Sequence, residues 1–242
     1  MNDSRTTTRR AVVLAGGKGM RLRPYTTILP KPLLPIGDRP ILEHVICGLG
    51  KSGFKHISIS VGHLADLIRV FFNDGSRWGV NIDYAIEDEP LGTIGPLALI
   101  DARAHDLGDD FLVMNGDLLH DLDYETLWQT HQTAGAALTI ATYRREVNID
   151  FGVLGCDEQD FVKQFTEKPT LPYNVSMGIY ILNRRCLNYV PPGKPFGFDQ
   201  LVLALLATGE PIKSHPHAGR WLDLGRAEDY ERAAASPELW DK

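Results

Sequence analysis

Cysteine is scarce in this chain. Its three copies among 242 residues, Cys47, Cys156 and Cys186, lie far apart with no Cys-x-x-Cys spacing, which excludes a disulfide framework or zinc ribbon and points to a reduced, cytoplasmic setting. Long hydrophobic runs are missing too. Residues 111–114 and 201–207 are apolar, far short of the roughly 20 residues that a membrane helix needs. The polar segment 1–10 leads straight into apolar residues 11–15, without the hydrophobic centre of a secretion signal. There is no surplus of positive charge: 25 Lys and Arg against 31 Asp and Glu leave a net of -6, which argues against binding nucleic acid or an anionic membrane. Internal repeats, low-complexity tracts and Gly/Ser linkers are also absent, so residues 1–242 read as a single domain with two lobes. What is present is 43% hydrophobic residues, enough to bury a core.

Residues 10–14 read as a buried strand that breaks into Ala15-Gly16-Gly17-Lys18-Gly19-Met20-Arg21. A strand over 57–61 follows, then a helix over 64–72 with Leu64, Leu67, Ile68, Phe71 and Phe72 at helical spacing. Next come a strand over 80–86, a helix over 93–104 with Thr93 as its N-cap, and a short apolar strand over 111–114 ending in Asn115-Gly116-Asp117. Such alternation predicts right-handed βαβ crossovers and a mostly parallel sheet with helices on both faces, its ligands lying beyond the carboxyl ends of the strands. In the second half, residues 137–143, 152–156, 161–166 and 176–182 are β-rich with short connections, which predicts an antiparallel extension of the same sheet. Helices over 201–207 and 227–234 close the chain. Pro24, Pro30, Pro32 and Pro35 forbid a regular helix and predict an ordered, extended wrap.

Four segments carry chemistry. Gly16, Gly17 and Gly19 permit backbone torsions that aim successive N–H groups at phosphate oxygens, and Arg21 and Lys31 add the cations a triphosphate needs. Glu87-Asp88-Glu89-Pro90-Leu91-Gly92-Thr93 is an acidic run before a helix. Asp117, after its apolar strand, sits at the carboxyl edge of the sheet, and Asp223 follows Trp221-Leu222 far downstream. Glu167-Lys168-Pro169 ends a β-type run. On residue type alone each also reads as an ordinary turn or helix start.

Leu14 to Pro24 followed by Pro30-Lys31-Pro32-Leu33-Leu34-Pro35 resembles the signature of the sugar-1-phosphate nucleotidyltransferases, which join a nucleoside triphosphate to a sugar 1-phosphate and release pyrophosphate. The resemblance runs from the first strand to the last helices, with the motifs in order. It implies a Rossmann-like α/β core of the nucleotide-diphospho-sugar transferase type, with a β-rich sugar-binding insertion: residues 10–135 mainly hold the nucleotide, and 136–242 mainly the sugar. Leu14, Ala15, Gly16, Gly17, Gly19, Met20, Arg21, Lys31, Glu87, Pro90, Gly92 and Thr93 would then contact the nucleotide. Met20 departs from the small hydroxyl residue usual there. Asn115, Gly152, Glu167, Lys168 and Ser176 would face the sugar, although many relatives have Asn-Ala at Ser176-Met177. Asp117 and Asp223 would hold Mg2+, and Arg21, Lys31, Asp117, Lys168 and Asp223 form the implied catalytic set.

The run Glu-Pro-Leu-Gly-Thr is similar to the guanylyltransferase version of the family's base-recognition loop, closest to enzymes for mannose 1-phosphate or heptose 1-phosphate. Glu87 stands where relatives that use other bases place an amide. A carboxylate accepts hydrogen bonds only, and guanine presents two adjacent donors at N1 and N2. The resemblance therefore favours GTP and a sugar 1-phosphate as substrates, with a GDP-sugar and pyrophosphate as products. A uridylyl- or thymidylyltransferase, a non-catalytic subunit that senses sugar nucleotides, and a glycosyltransferase are the alternatives. A homo-oligomer is left open.

Overall fold

The computed structural model describes residues 9–104 and 107–240. Its first half runs β1 (Arg10–Ala15), β2 (Pro35–Ile36), β3 (Arg39–Pro40), α1 (Ile41–Lys51), β4 (His56–Val61), α2 (Ala65–Phe72), β5 (Asn81–Ile86), α3 (Pro96–Ala104), β6 (Asp110–Asn115), β7 (Leu118–His120) and α4 (Tyr124–Ala134). The second half adds β8 (Leu138–Asn148), β9 (Val153–Cys156), β10 (Val162–Thr166), β11 (Thr170–Asn183), α5 (Phe198–Ala207), β12 (Ile212–His217), β13 (Trp221–Asp223) and α6 (Ala227–Ala234).

Strands from both halves share one seven-stranded sheet in the order β12-β8-β11-β6-β1-β4-β5. β6, β1, β4 and β5 are mutually parallel, as the alternation of strands and helices predicts. In the second half the expected antiparallel extension holds for residues 137–143 and 176–182 and is corrected for 152–156 and 161–166. β11 pairs antiparallel with both β6 and β8, while β12 pairs parallel with β8, so β11 is the one strand of the seven that runs against the rest. β9 and β10 leave the sheet altogether and form a separate two-stranded ribbon. Its apolar side chains, with Phe161 and Phe165 among them, are exposed rather than packed on the core. Strand pairing is a tertiary outcome, and a local β-type run does not specify it.

Side-chain alternation along the strands builds two cores. Ala11, Val13 and Ala15 of β1, Ile57, Ile59 and Val61 of β4, and Leu112 and Met114 of β6 face α1, α2 and α4. Val12, Phe111 and Val113 face the other way, toward α3 and α5. Because both faces are covered, these strands read as near-continuous apolar runs. The helices α1 and α4 were not among the sequence expectations. Ile41, Leu42, Val45, Ile46 and Leu49 form the buried stripe of α1. In α4 the Asp123 carboxylate caps the N-terminus by accepting the Glu125 N–H at 2.9 Å, and Gly135 ends the helix in the left-handed conformation.

A third cluster lies beneath the carboxyl ends of the central strands. Leu22, Leu34, Ile36, Ile41, Leu119, Leu222 and Leu224 pack there with Tyr230 and Ala233 of α6. The proline-rich segment reaches this cluster as three single 3-10 turns, Met20–Leu22, Tyr25–Thr27 and Lys31–Leu33, rather than as an extended wrap. Proline is compatible with the start of such turns because it preselects φ and its missing N–H is not needed there. Among the described residues, no helix is long and apolar enough to cross a membrane.

Candidate active site

β1 delivers the chain to the carboxyl edge of the sheet, where Gly16 to Gly19 turn it over the strand end. Gly19 has φ +60°, and the buried Thr26 hydroxyl donates to its carbonyl at 2.8 Å, fixing the loop against the next turn. Leu14, Ala15, Gly17, Gly19, Met20, Arg21, Lys31, Gly116, Asp117 and Gly225 line a cleft of about 220 Å3. The glycine loop, both cations and one acidic residue thus meet as the sequence predicts. Gly116 has a steric reason to lack a side chain, since a Cβ there would lie 3.1 Å from the Leu14 carbonyl.

Asp117 and Asp223 come together through a short antiparallel pair. β13 aligns Asp223 with Leu118 of β7, and the Leu224 N–H donates to the Asp117 carbonyl at 3.1 Å. The buried Lys31 ammonium donates to Asp117 Oδ2. Gly225 donates its N–H to Asp223 Oδ1 at 2.8 Å, and a Cβ on Gly225 would lie 3.1 Å from the Arg21 guanidinium. The Asp223 carboxyl is pushed above the usual carboxylate range, first by desolvation and then by the Asp117 charge, with Lys31 and Arg21 opposing. Two mutually repelling carboxylates beside the glycine loop suit a divalent cation. Among the described residues no group of three or more acidic, His or Cys side chains forms a metal cage, and magnesium commonly takes one or two carboxylates and completes its shell with phosphate and water.

Glu87 stands behind the loop rather than among the residues that line the cleft. Ser60, buried on β4, donates its hydroxyl to Glu87 Oε1 at 2.6 Å, and the Leu91 N–H donates to Oε2 at 2.9 Å. A Cβ on Gly16 would lie 2.5 Å from Oε1, so the glycine loop and this carboxylate interlock. Pro90 is exposed. Gly92, at φ +76°, packs on the Phe196 backbone, where a Cβ would meet the carbonyl at 2.9 Å. Thr93 is not an N-cap, because α3 begins at Pro96. Its hydroxyl instead accepts the Phe198 N–H at 2.8 Å, tying this loop to the first residue of α5.

The residues expected to face the sugar lie outside the 220 Å3 cleft. Glu167 reaches over Gly152, where a Cβ would lie 3.2 Å from its Oε2 and would also strike the Phe165 ring. Lys168 is exposed in the bend between β10 and β11 with φ +43°, a left-handed conformation uncommon for a side chain of its length. Ser176 donates to the Tyr180 hydroxyl at 3.1 Å across a register shift in β11. Gly178, at φ +76°, leaves room for Asn115, whose Nδ2 would lie 2.7 Å from a Cβ there. His215 and His217, which share β12, bond to the Thr130 hydroxyl and to Asp121 respectively.

The Nucleotidyl transferase family model matches residues 10–238. The chain belongs to that family. It is 34% identical over 229 residues to a mannose-1-phosphate guanylyltransferase of Mycobacterium tuberculosis, covering 93% of this chain and 63% of that protein. It is also 34% identical over 240 residues to a UTP–glucose-1-phosphate uridylyltransferase of Synechocystis, covering 93% and 62%. The chain thus spans about three fifths of the length of these curated relatives. Among solved structures, HddC from Yersinia pseudotuberculosis complexed with GMP-PN superposes with a TM-score of 0.71 at 27% identity, covering 94% of this chain and 99% of that one. The parallel sheet with helices on both faces is the nucleotide-diphospho-sugar transferase fold.

Sequence reasoning missed several residues around this candidate site. Arg145 and Arg226 line a pocket of about 350 Å3 that meets the cleft at Arg21 and Gly225 and has Asp223 in its wall. Trp221 shares that wall and donates its indole N–H to the Met177 carbonyl at 3.1 Å. An isolated arginine carries no local signal of its place. Trp221 stands close to Asp223 in the sequence, where an indole near a carboxylate carries no signal of a role.

Proposed function

We propose that the chain is a sugar-1-phosphate guanylyltransferase, converting GTP and a sugar 1-phosphate of the mannose, heptose or larger type into a GDP-sugar and pyrophosphate. The observation that carries this reading is the meeting of Arg21, Lys31, Asp117 and Asp223 at the end of β1, against the glycine loop. A sensor of sugar nucleotides has no need of paired carboxylates that repel each other, and neither does a plain turn. The three free cysteines are in keeping with a cytoplasmic enzyme.

In this mechanism a phosphate oxygen of the sugar 1-phosphate attacks the α-phosphorus of GTP in line. The new P–O bond forms as the bond to the β-phosphate oxygen breaks, and pyrophosphate leaves with that electron pair. The nucleophile is already an anion, so the protein supplies no general base. Its task is to hold two anions in line and to stabilise the charge that moves between them. Asp117 and Asp223 would hold magnesium, which when bound offsets charge on the phosphoryl oxygens. Arg21 and the glycine-loop N–H groups receive the departing pyrophosphate. Lys31, held by Asp117, acts with Arg21 in stabilising the developing pyrophosphate, and Lys168 positions the sugar phosphate. Glu87 accepts from guanine N1 and N2 with the lone pairs that Ser60 and Leu91 leave free, since each carboxylate oxygen accepts two hydrogen bonds.

The likeness to the Synechocystis enzyme favours uridylyl transfer as a second reading. Crossing GTP, UTP, dTTP, CTP and ATP with mannose 1-phosphate, heptose 1-phosphate and glucose 1-phosphate, with pyrophosphate release as the signal, separates the two. Turnover with GTP at least tenfold above the other nucleotides supports guanylyl transfer. Preference for UTP or dTTP assigns the chain to the other branch.

A further inference from the structure

Two buried serines lie on the same side of β4, two residues apart. Ser58 Oγ donates to Asp83 Oδ2 at 2.9 Å and Ser60 Oγ to Glu87 Oε1 at 2.6 Å, while Ile57, Ile59 and Val61, which alternate with them, fill the opposite core. A serine on a fully covered strand loses hydration on folding and recovers it only through a partner. The partner of Ser58 is a strand residue of β5 away from the cleft. The partner of Ser60 is the carboxylate behind the glycine loop. Ser60 and the Leu91 N–H each take one oxygen of Glu87, so the plane of the carboxylate is set by two bonds from different elements, and Gly16 is pressed against one edge of it.

We propose that Ser60 is the positioning residue for nucleobase choice, orienting Glu87 so that its two oxygens face the paired donors of guanine. The inference rests on the guanylyl reading of Glu87. Two parallel hydrogen bonds to a planar edge tolerate little rotation of the acceptor, whereas a base presenting one donor between two carbonyls gains little from the same alignment. Ser60 touches no substrate; it acts through Glu87. Its removal therefore weakens discrimination between bases more than it weakens chemistry on the α-phosphate.

The test compares Ser60→Ala, Ser58→Ala, Glu87→Ala and the Ser60→Ala/Glu87→Ala double variant of the full chain. Each is assayed for kcat and KM with GTP and with UTP at saturating sugar 1-phosphate and magnesium, with thermal melts to monitor folding. In Ser60→Ala the ratio of kcat/KM for GTP over UTP falls about tenfold, mainly through KM for GTP. Ser58→Ala, which deletes a part-buried serine–carboxylate bond on the same strand, leaves the ratio unchanged. The double variant matches Glu87→Ala alone, since residues that act as a unit are non-additive. A GTP-preferring chain whose ratio is unmoved by Ser60→Ala, or is moved equally by Ser58→Ala, overturns the role of Ser60 and leaves the guanylyl reading standing. A chain that prefers another nucleotide overturns both.

Discussion

At the scale of the residue, Asp117 and Asp223 show how far an apolar run followed by an aspartate can be read. Asp117 was legible as a carboxylate at a strand end and Asp223 only through the family resemblance, and the short pairing of β7 with β13 supplies the convergence that the sequence separation hides. Their mutual repulsion yields a prediction with two signs. Asp117→Asn and Asp223→Asn each lower turnover by about a hundredfold or more, the scale of losing metal-assisted charge stabilisation, measured as initial rates of pyrophosphate release. Without metal, Asp223→Asn melts no lower than the parent, because it relieves a carboxyl disfavoured by burial and by Asp117. A drop in the metal-free melting temperature would contradict this account of the pair. Ser60 was not legible. Its meaning depends on Glu87, which α2 and β5 separate from it in the chain, and a serine within an apolar run gives no sign of its partner.

At the scale of the element, the parallel half of the sheet was legible because its two periods, about 2 for strands and 3.6 for helices, alternate cleanly along the chain. The β9–β10 ribbon was not, since the same β-type runs satisfy either a sheet edge or a free ribbon. Thr93 misled for a related reason: a threonine before an apolar run suits an N-cap, but the backbone of Phe198 claims its hydroxyl. The loop stapled there makes Gly92 a structural position. Gly92→Ala places a Cβ against the Phe196 carbonyl in a left-handed backbone, and is expected to reduce unfolding stability by about 1–2 kcal/mol in urea titration. A second staple joins β6, α4 and the end of β11, where Asp110 accepts from Asn183 at 2.7 Å and bonds His131 Nε2 at 3.3 Å. The His131 hydrogen bond chiefly, with Asn183 assisting, holds the Asp110 carboxyl below its ordinary range against the opposing effect of burial. The stabilisation is therefore fully present above the ordinary aspartate value of about 3.9 and is lost as pH falls through the lower folded value. Asp110→Asn should flatten that acid limb in melting temperature against pH, and an unchanged limb would remove Asp110 as its source.

At the scale of the molecule, a net charge of -6 conceals a cation-rich edge of the sheet, where Arg21 and Lys31 face the cleft and Arg145 and Arg226 the adjoining pocket. The third apolar cluster carries the turn bearing Arg21, the segment after Lys31, and the strands flanking Asp117 and Asp223 on one packed base. The proposed phosphate-binding side was legible as a set because most of its residues cluster near one strand end. The proposed sugar-facing side was legible only as separate segments, since Gly152, Glu167 and Lys168 flank the ends of a ribbon whose pairing the sequence does not disclose. The most direct measurement is a competition in one vessel: equimolar GTP, UTP, dTTP, CTP and ATP with magnesium and a single sugar 1-phosphate, the products resolved by mass spectrometry. The predicted result, for mannose 1-phosphate or heptose 1-phosphate, is a GDP-sugar in at least tenfold excess over any other nucleotide sugar, lost when magnesium is chelated. Predominance of a UDP- or dTDP-sugar, or no nucleotide sugar with any of the sugar phosphates, would contradict it.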